Sequence, residues 1–348
     1  MPTAPMPSPS RPWWCRPAPV LLGLVLAIVL PGARAAQAGA AESAWHWVHR
    51  MARAERTLNF RGTFVYQHGD RLEAMRIVHQ GGRNGGRERL YALTGPAREV
   101  LRDARSVTCI LPDRKAVMVD KRLPRRPFER IDAADAKALD RFYDIRLDPD
   151  DRVADKMTRV ISIVPRDGFR YGYRFYVDRR TGLMLKSVVN DHDGHVLEQL
   201  MFTAMEVPDR IDESELRSAL PAKGYHWYGH PRAAGDEGAV PARHSPWRVT
   251  WVPAGFRLTH HNQHAVPMRT EKVEHMVYSD GLATVSIYFE PLQQAQKAFT
   301  GTSSMGAVHA VGRRLNGFQV TVVGLVPEVT VARMGAAVEY RPAAATAP

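Results

Sequence analysis

Near Leu58 the hydrophobic period of this chain changes from that of a helix to that of a strand. Ser43 is placed to cap a helix that runs to about Leu58, with Trp47, Val48, Met51, Ala52, Glu55 and Leu58 along one stripe. Beyond it, Phe64 and Tyr66, then Met75, Ile77 and His79, then Leu90 and Ala92 alternate as successive strands. Gly69-Asp70 and the glycine-rich run 81–86 separate them as turns. Segments 106–111 and 115–120 follow, joined by Pro112-Asp113, and 133–142 has helical composition. Runs 153–164, 171–177, 183–190 and 196–205 complete the region, with Asp193-Gly194 as a two-residue hairpin signal. Consecutive strands joined by short turns favour hairpins over crossover units. Residues 43–207 therefore read as one α+β unit, a highly twisted antiparallel sheet with a few helices, which tends to curl or close and leave a concave face.

The composition shifts after Pro208. Residues 210–220 suit a short acidic helix, and 221–245 lack an apolar period, so 208–245 reads as a linker. A smaller α+β unit, 246–340, opens at Trp247-Arg248-Val249-Thr250-Trp251. It carries strands near 272–279, 282–290, 305–312 and 317–323, with turns at Ser279-Asp280-Gly281 and Leu315-Asn316-Gly317, and a helix over 330–338. Residues 341–348 form an Ala/Pro tail expected to be disordered.

The N-terminus bears on where such a chain works. Arg11 and Arg16 precede an apolar run, Val20–Leu30, and Ala33-Arg34-Ala35 has the small-residue form of a signal-peptidase site. The run is too short to cross ~30 Å of hydrocarbon as a helix. Residues 1–35 are thus expected to be a signal peptide cleaved near Ala35, leaving a soluble exported protein. Three arginines and no acid leave with it, so the formal charge falls from +12 to +9. Cys15 goes too, leaving Cys109 alone, so no intramolecular disulfide can form. Cys109 sits in an alternating apolar run and reads as a strand residue.

Motifs for chemistry are missing: the sequence has no phosphate loop, nucleophile elbow, S-x-x-K or H-E-x-x-H. The run His260-His261-Asn262-Gln263-His264 lacks further ligands at helical spacing and reads as a solvated loop. Asp191-His192-Asp193-Gly194-His195 begins like a calcium loop, but its later acid is misplaced, and the hairpin accounts for it better. No enzyme, metal or cofactor is expected. Two features suit binding. Lys121, Arg122, Arg125, Arg126 and Arg130 crowd a proline-broken stretch, which is either a solvated loop or a polyanion contact. Export excludes nucleic acid, leaving an acidic protein or phosphorylated lipid headgroups. Tyr171, Tyr173 and Phe175 share one strand face, which either packs in the core or, with Phe64, Tyr66 and Ile77, lines a cavity for an acyl chain.

Several blocks resemble the RseB/MucB family. Asn59–Tyr66, Gly95–Val100, Val107–Pro112, Tyr171–Arg174 and Leu197–Gln199 are similar to its N-terminal domain. Trp251–Phe256, Tyr278–Ala283 and Val320–Gly324 are similar to its second domain, so the likeness runs in order over about 43–340. The resemblance implies a lipoprotein-carrier-like N-terminal fold, a half-open β-barrel with helices over its mouth, and a periplasmic negative regulator of the envelope-stress sigma factor. It implies binding to the periplasmic part of an anti-sigma factor, RseA or MucA, which is shielded from site-1 proteolysis. Lipopolysaccharide or mislocalised lipoprotein is expected to relieve that inhibition. A periplasmic lipid or lipoprotein carrier and an envelope hydrolase are the alternatives, and self-association into a homodimer is left open. Neither the residues that contact the anti-sigma factor nor the natural lipid can be read from the sequence.

Overall fold

The computed structural model describes residues 43–82, 86–121, 138–228, 240–241, 245–265, 272–292 and 298–341. They belong to one compact unit, Glu42–Pro348. The signal segment, Arg122, Arg125, Arg126, Arg130 and the tail after Arg341 lie outside the described residues.

Helix α1 spans Ala44–Thr57. The Ser43 Oγ accepts the His46 N–H at 3.1 Å, satisfying one of the amides a helix start leaves over. Trp47, Val48 and Met51 are buried along one side. The helix stops where Leu58 turns extended, and Asn59 fixes the exit. Its Oδ1 accepts from Gly81 N at 3.1 Å, and its Nδ2 donates to the Asp209 carbonyl at 2.7 Å.

The first sheet contains β1 (Phe60–His68), β2 (Arg71–Gln80), β3 (Arg87–Ala92), β4 (Glu99–Arg102), β5 (Ser106–Leu111) and β6 (Ala116–Lys121). It continues with β7 (Tyr143–Val153), β8 (Lys156–Pro165), β9 (Gly172–Asp178), β10 (Met184–Asn190), β11 (Val196–Glu206) and β12 (His226–Tyr228). Their order is β12-β6-β5-β4-β3-β2-β1-β11-β10-β9-β8-β7, a half-open sheet whose end strands do not pair with each other. The pairs are antiparallel except β12 beside β6, which is parallel. The α+β class read from the element pattern and the half-open form implied by the family resemblance are thus both present in the molecule.

Part of the segment expected as a linker packs against this sheet. Instead of an acidic helix over 210–220 there is one 3-10 turn, Glu213–Leu216. Ile211 and Leu216 both pack on Val78, and Glu213 and Glu215 reach Arg87 and Arg61, which holds the backbone extended on either side. Tyr225 then packs beside Ile110, Val117 and Val119 before β12 joins the edge.

The second sheet contains β13 (Val240–Pro241), with β14 (Trp247–Val249) set apart from it, then β15 (Arg257–Ala265), β16 (Lys272–Ser279) and β17 (Thr284–Pro291). β18 (Gly301–Met305), β19 (Val308–Leu315) and β20 (Phe318–Gly324) follow, then α2 (Glu328–Ala336) and β21 (Val338–Tyr340). The sheet order is β13-β15-β16-β17-β20-β19-β18, and among the described residues β14 pairs with β21 in a two-stranded sheet. Val331 and Met334 of α2 pack with Val285, Ile287, Phe289, Val320, Val322 and Trp247 in one core. The histidine run lies in β15, not in a loop. Asn262 stands opposite His275 and Gln263 opposite Glu274, and His261 Nε2 lies 2.7 Å from Glu274 Oε1. Cross-strand partners on β16, invisible to a local reading, turn a polar run into a strand. Among the described residues, the potential metal ligands that lie close together are Asp191, Asp193 and His195 in the exposed β10–β11 turn. There Asp191 Oδ1 accepts the His195 N–H, closing the hairpin.

Candidate functional site

A cavity of about 150 Å³ opens on the first sheet beside the C-terminal end of α1. Alternation on β1 and β2 brings Phe60, Phe64, Ile77 and His79 to it, and β11 contributes Leu200, Phe202 and Met205. Phe64 and Phe202 stand opposite each other in the β1–β11 ladder, with ring centroids 5.3 Å apart. One end is apolar and the other is ionic. At the ionic end Glu55, Arg56, Glu88 and Arg102 join His79, which stacks on Phe60 at 4.6 Å. Glu88 lies 3.5 Å from His79 Nδ1 and 3.7 Å from Arg102. Apolar side chains beside a small ionic group are the kind of lining that an amphiphilic ligand can use.

Of the residues singled out from the sequence, Phe64 and Ile77 line this cavity, and Tyr66 packs against the same cluster. Tyr171, Tyr173 and Phe175 lie elsewhere, beneath α1 with Trp47, Val48 and Met51. Tyr173 and Phe175 stack at 5.9 Å, and burial first of all pushes the Tyr171 hydroxyl up to about 12. They occupy the core face that period 2 also allowed. Lys121 ends β6, next to the undescribed basic stretch. Sequence reading missed Leu200, Phe202 and Met205, although Glu198, Leu200 and Phe202 alternate visibly. It also missed the ionic group, whose members are far apart along the chain.

A second constellation joins the two sheets. Arg170, in the β8–β9 connection, is 0 % exposed. Its Nε donates to Asp280 Oδ2 at 2.6 Å, across to the turn between β16 and β17. Its other nitrogens donate to Asp167 and to the Ala254 carbonyl. Phe142, Tyr143 and Phe256 surround the guanidinium, with ring centroids 4.7, 5.7 and 5.2 Å away. Tyr143 donates its hydroxyl to Asp280 Oδ2 at 2.9 Å. Burial, then the Asp280 charge, holds that hydroxyl well above its ordinary range, so it stays a donor. Such a pair is tolerated in the interior because every charged atom has a partner. Nearby, Thr330 Oγ1 donates to the Phe169 carbonyl at 2.9 Å, and Arg333 lies 4.0 Å over Trp251. At another point of contact, Ala307 N donates to Glu198 Oε1 at 2.8 Å.

Comparisons with known proteins match this architecture. The family model described as MucB/RseB N-terminal domain matches residues 43–220, and the one described as MucB/RseB C-terminal domain matches 241–339. The chain is 34% identical over 332 residues to the sigma factor AlgU regulatory protein MucB of Pseudomonas aeruginosa, covering 94% of this chain and 97% of that one. It is 26% identical to the sigma-E factor regulatory protein RseB of Escherichia coli K12, over 88% of this chain and 93% of that one. The crystal structure of MucB in complex with MucA(peri) aligns with a TM-score of 0.63 at 31% identity, covering 86% of this chain and all, 100%, of that one. The crystal structure of MucB aligns with a TM-score of 0.60 at 30% identity, over 86% of this chain and 98% of that one. With both of its domains matched in order along a half-open sheet and a smaller second sheet, the chain belongs to the MucB/RseB family.

Proposed function

We propose that this chain is a periplasmic negative regulator of sigma-E-type envelope-stress signalling. It binds the periplasmic part of a MucA/RseA-type anti-sigma factor and keeps the site-1 protease from reaching it. The observation that carries this reading is the likeness, over both domains, to a protein crystallised in complex with MucA(peri). Shielding is steric and needs no catalytic side chain, which suits a sequence without catalytic motifs. Residues 1–35 act as the cleaved export signal.

Lipopolysaccharide or mislocalised lipoprotein relieves the inhibition. In this reading Phe64, Tyr66 and Ile77 serve an acyl-chain cavity, and Lys121, Arg122, Arg125, Arg126 and Arg130 attract phosphorylated headgroups. Tyr171, Tyr173 and Phe175 back the same sheet from beneath α1. A lipid that prefers the partner-free form weakens partner binding by its differential affinity for the two forms.

The test uses the mature chain and the periplasmic segment of the anti-sigma factor from the same genome. Titration calorimetry should give a defined complex, and sedimentation of the free chain reports whether it dimerises. The complexed segment should resist site-1 cleavage until lipopolysaccharide is added. A segment cut equally fast with and without the chain would overturn the proposal.

A further inference from the structure

We infer that occupation of the cavity is transmitted to the second sheet through Glu198, which releases the β18–β19 turn when the cavity fills. This rests on the reading that the cavity takes an apolar ligand. At about 150 Å³ it is smaller than the roughly 300–1,000 Å³ of pockets that hold drug-sized ligands. An acyl chain therefore enters only by displacing side chains, and Phe64 and Phe202 pack across the opening strands. The β1–β11 ladder slips register between Thr63 and Phe64, which puts its most deformable point beside that pair.

Below the slip the pairing is regular. Phe64 faces Phe202, Tyr66 faces Leu200 and His68 faces Glu198, so β11 carries Phe202, Leu200 and Glu198 in a row on one side. Four residues at about 3.3 Å each place Glu198 roughly 13 Å from Phe202 on the same strand. Burial, then a hydrogen bond to Glu198, holds the Tyr66 hydroxyl above its ordinary range, which ties β1 to the same carboxylate. Beyond Glu198 lies the turn of the second sheet. Ala307 is 0 % exposed, and its N–H donates to Glu198 Oε1 at 2.8 Å. Gly306, at φ +59°, presses its backbone so close that a Cβ there would lie 2.5 Å from the same oxygen. A shift of about 1 Å along β11 stretches the bond past the limit of useful geometry. The Arg170–Asp280 pair stands on other elements, so the sheets stay joined while this turn loosens.

The experiment measures hydrogen exchange at the Ala307 amide in the mature chain, with the fluorescent eighteen-carbon fatty acid cis-parinaric acid as probe. In the wild-type chain, saturating probe should raise exchange at Ala307 at least tenfold. In Glu198→Ala, exchange should be fast with and without probe while the fluorescence titration is unchanged. Glu198→Gln, which keeps an acceptor oxygen, should restore both the protection and the response. Bound probe with unaltered Ala307 exchange, or a Glu198→Ala chain that still responds, overturns the relay alone. A chain that gives no fluorescence titration overturns the cavity reading and the relay with it.

Discussion

Asp280→Ala takes away a carboxylate that accepts four hydrogen bonds, from Arg170 Nε, the Tyr143 hydroxyl, Leu282 N and Ala283 N. Tyr143 lies in β7 and Arg170 in the β8–β9 connection, so the first two come from the side of the first sheet. Removing one partner of a buried pair costs about 3–5 kcal/mol, because the remaining charge stays in the interior. Arg170 keeps Asp167 and the Ala254 carbonyl, which pulls the cost down, while three other donors lose their acceptor, which raises it. A loss near 4 kcal/mol follows. With an unfolding entropy of about 2.1 cal/mol/K per residue over roughly 300 residues, that lowers Tm by about 6 °C. Calorimetry of the wild-type chain, Asp280→Ala, Arg170→Met and the double variant measures it. The double variant should be at least about 1 kcal/mol more stable than the two single losses predict, since it buries no unpaired charge. Additive losses, or a single-variant Tm within about 1 °C of wild type, would refute the assignment of this pair as the fastening between the sheets.

Gly255→Ala should destabilise by about 1–3 kcal/mol, because φ is +89° there and a Cβ would sit 2.4 Å from the Phe142 ring. A wild-type denaturant midpoint would refute it. Hydrogen bonds from Arg61 and Arg87 hold the Glu206 and Glu213 carboxyls below the usual glutamate range. Depressed values mean the contribution is full above the unfolded pKa of about 4.3 and fades as pH falls through the folded one. Hydrogen-exchange protection over 211–218, corrected for intrinsic rate, should therefore be flat from pH 6 to 8 and decline below about pH 4. Both carboxylates are exposed, so high salt should weaken the effect, and a pH-independent profile would exclude it. Replacing Arg122, Arg125 and Arg126 with Ser should weaken binding to lipopolysaccharide in a salt-dependent manner, read by titration at two ionic strengths. Unchanged binding at low salt would remove the basic stretch from the proposal.

What could be read locally was read from local chemistry. Ser43 starts α1, Asp193-Gly194 closes a hairpin and Ser279-Asp280-Gly281 turns β16 into β17, because caps and turns depend on a few adjacent residues. The same alternation put Tyr171, Tyr173 and Phe175 on one face, but it could not say which cluster that face would meet. They lie under α1, while the cavity formed where β11 brings Phe202 opposite Phe64. The segment after Pro208 carries Ile211, Leu216 and Tyr225 too sparsely for any period, so its packing on the first sheet was hidden. Residues 260–264 became a strand because β16 lay beside them.

Asp280 shows the division most clearly. The sequence by itself determined that it stands in a turn, since Asp-Gly between alternating runs has little other use. Only the tertiary structure gave it Arg170, 110 residues earlier, and made the turn a junction between the sheets. Charges so far apart in sequence leave no periodic trace, and their attraction becomes strong only once folding removes the water between them.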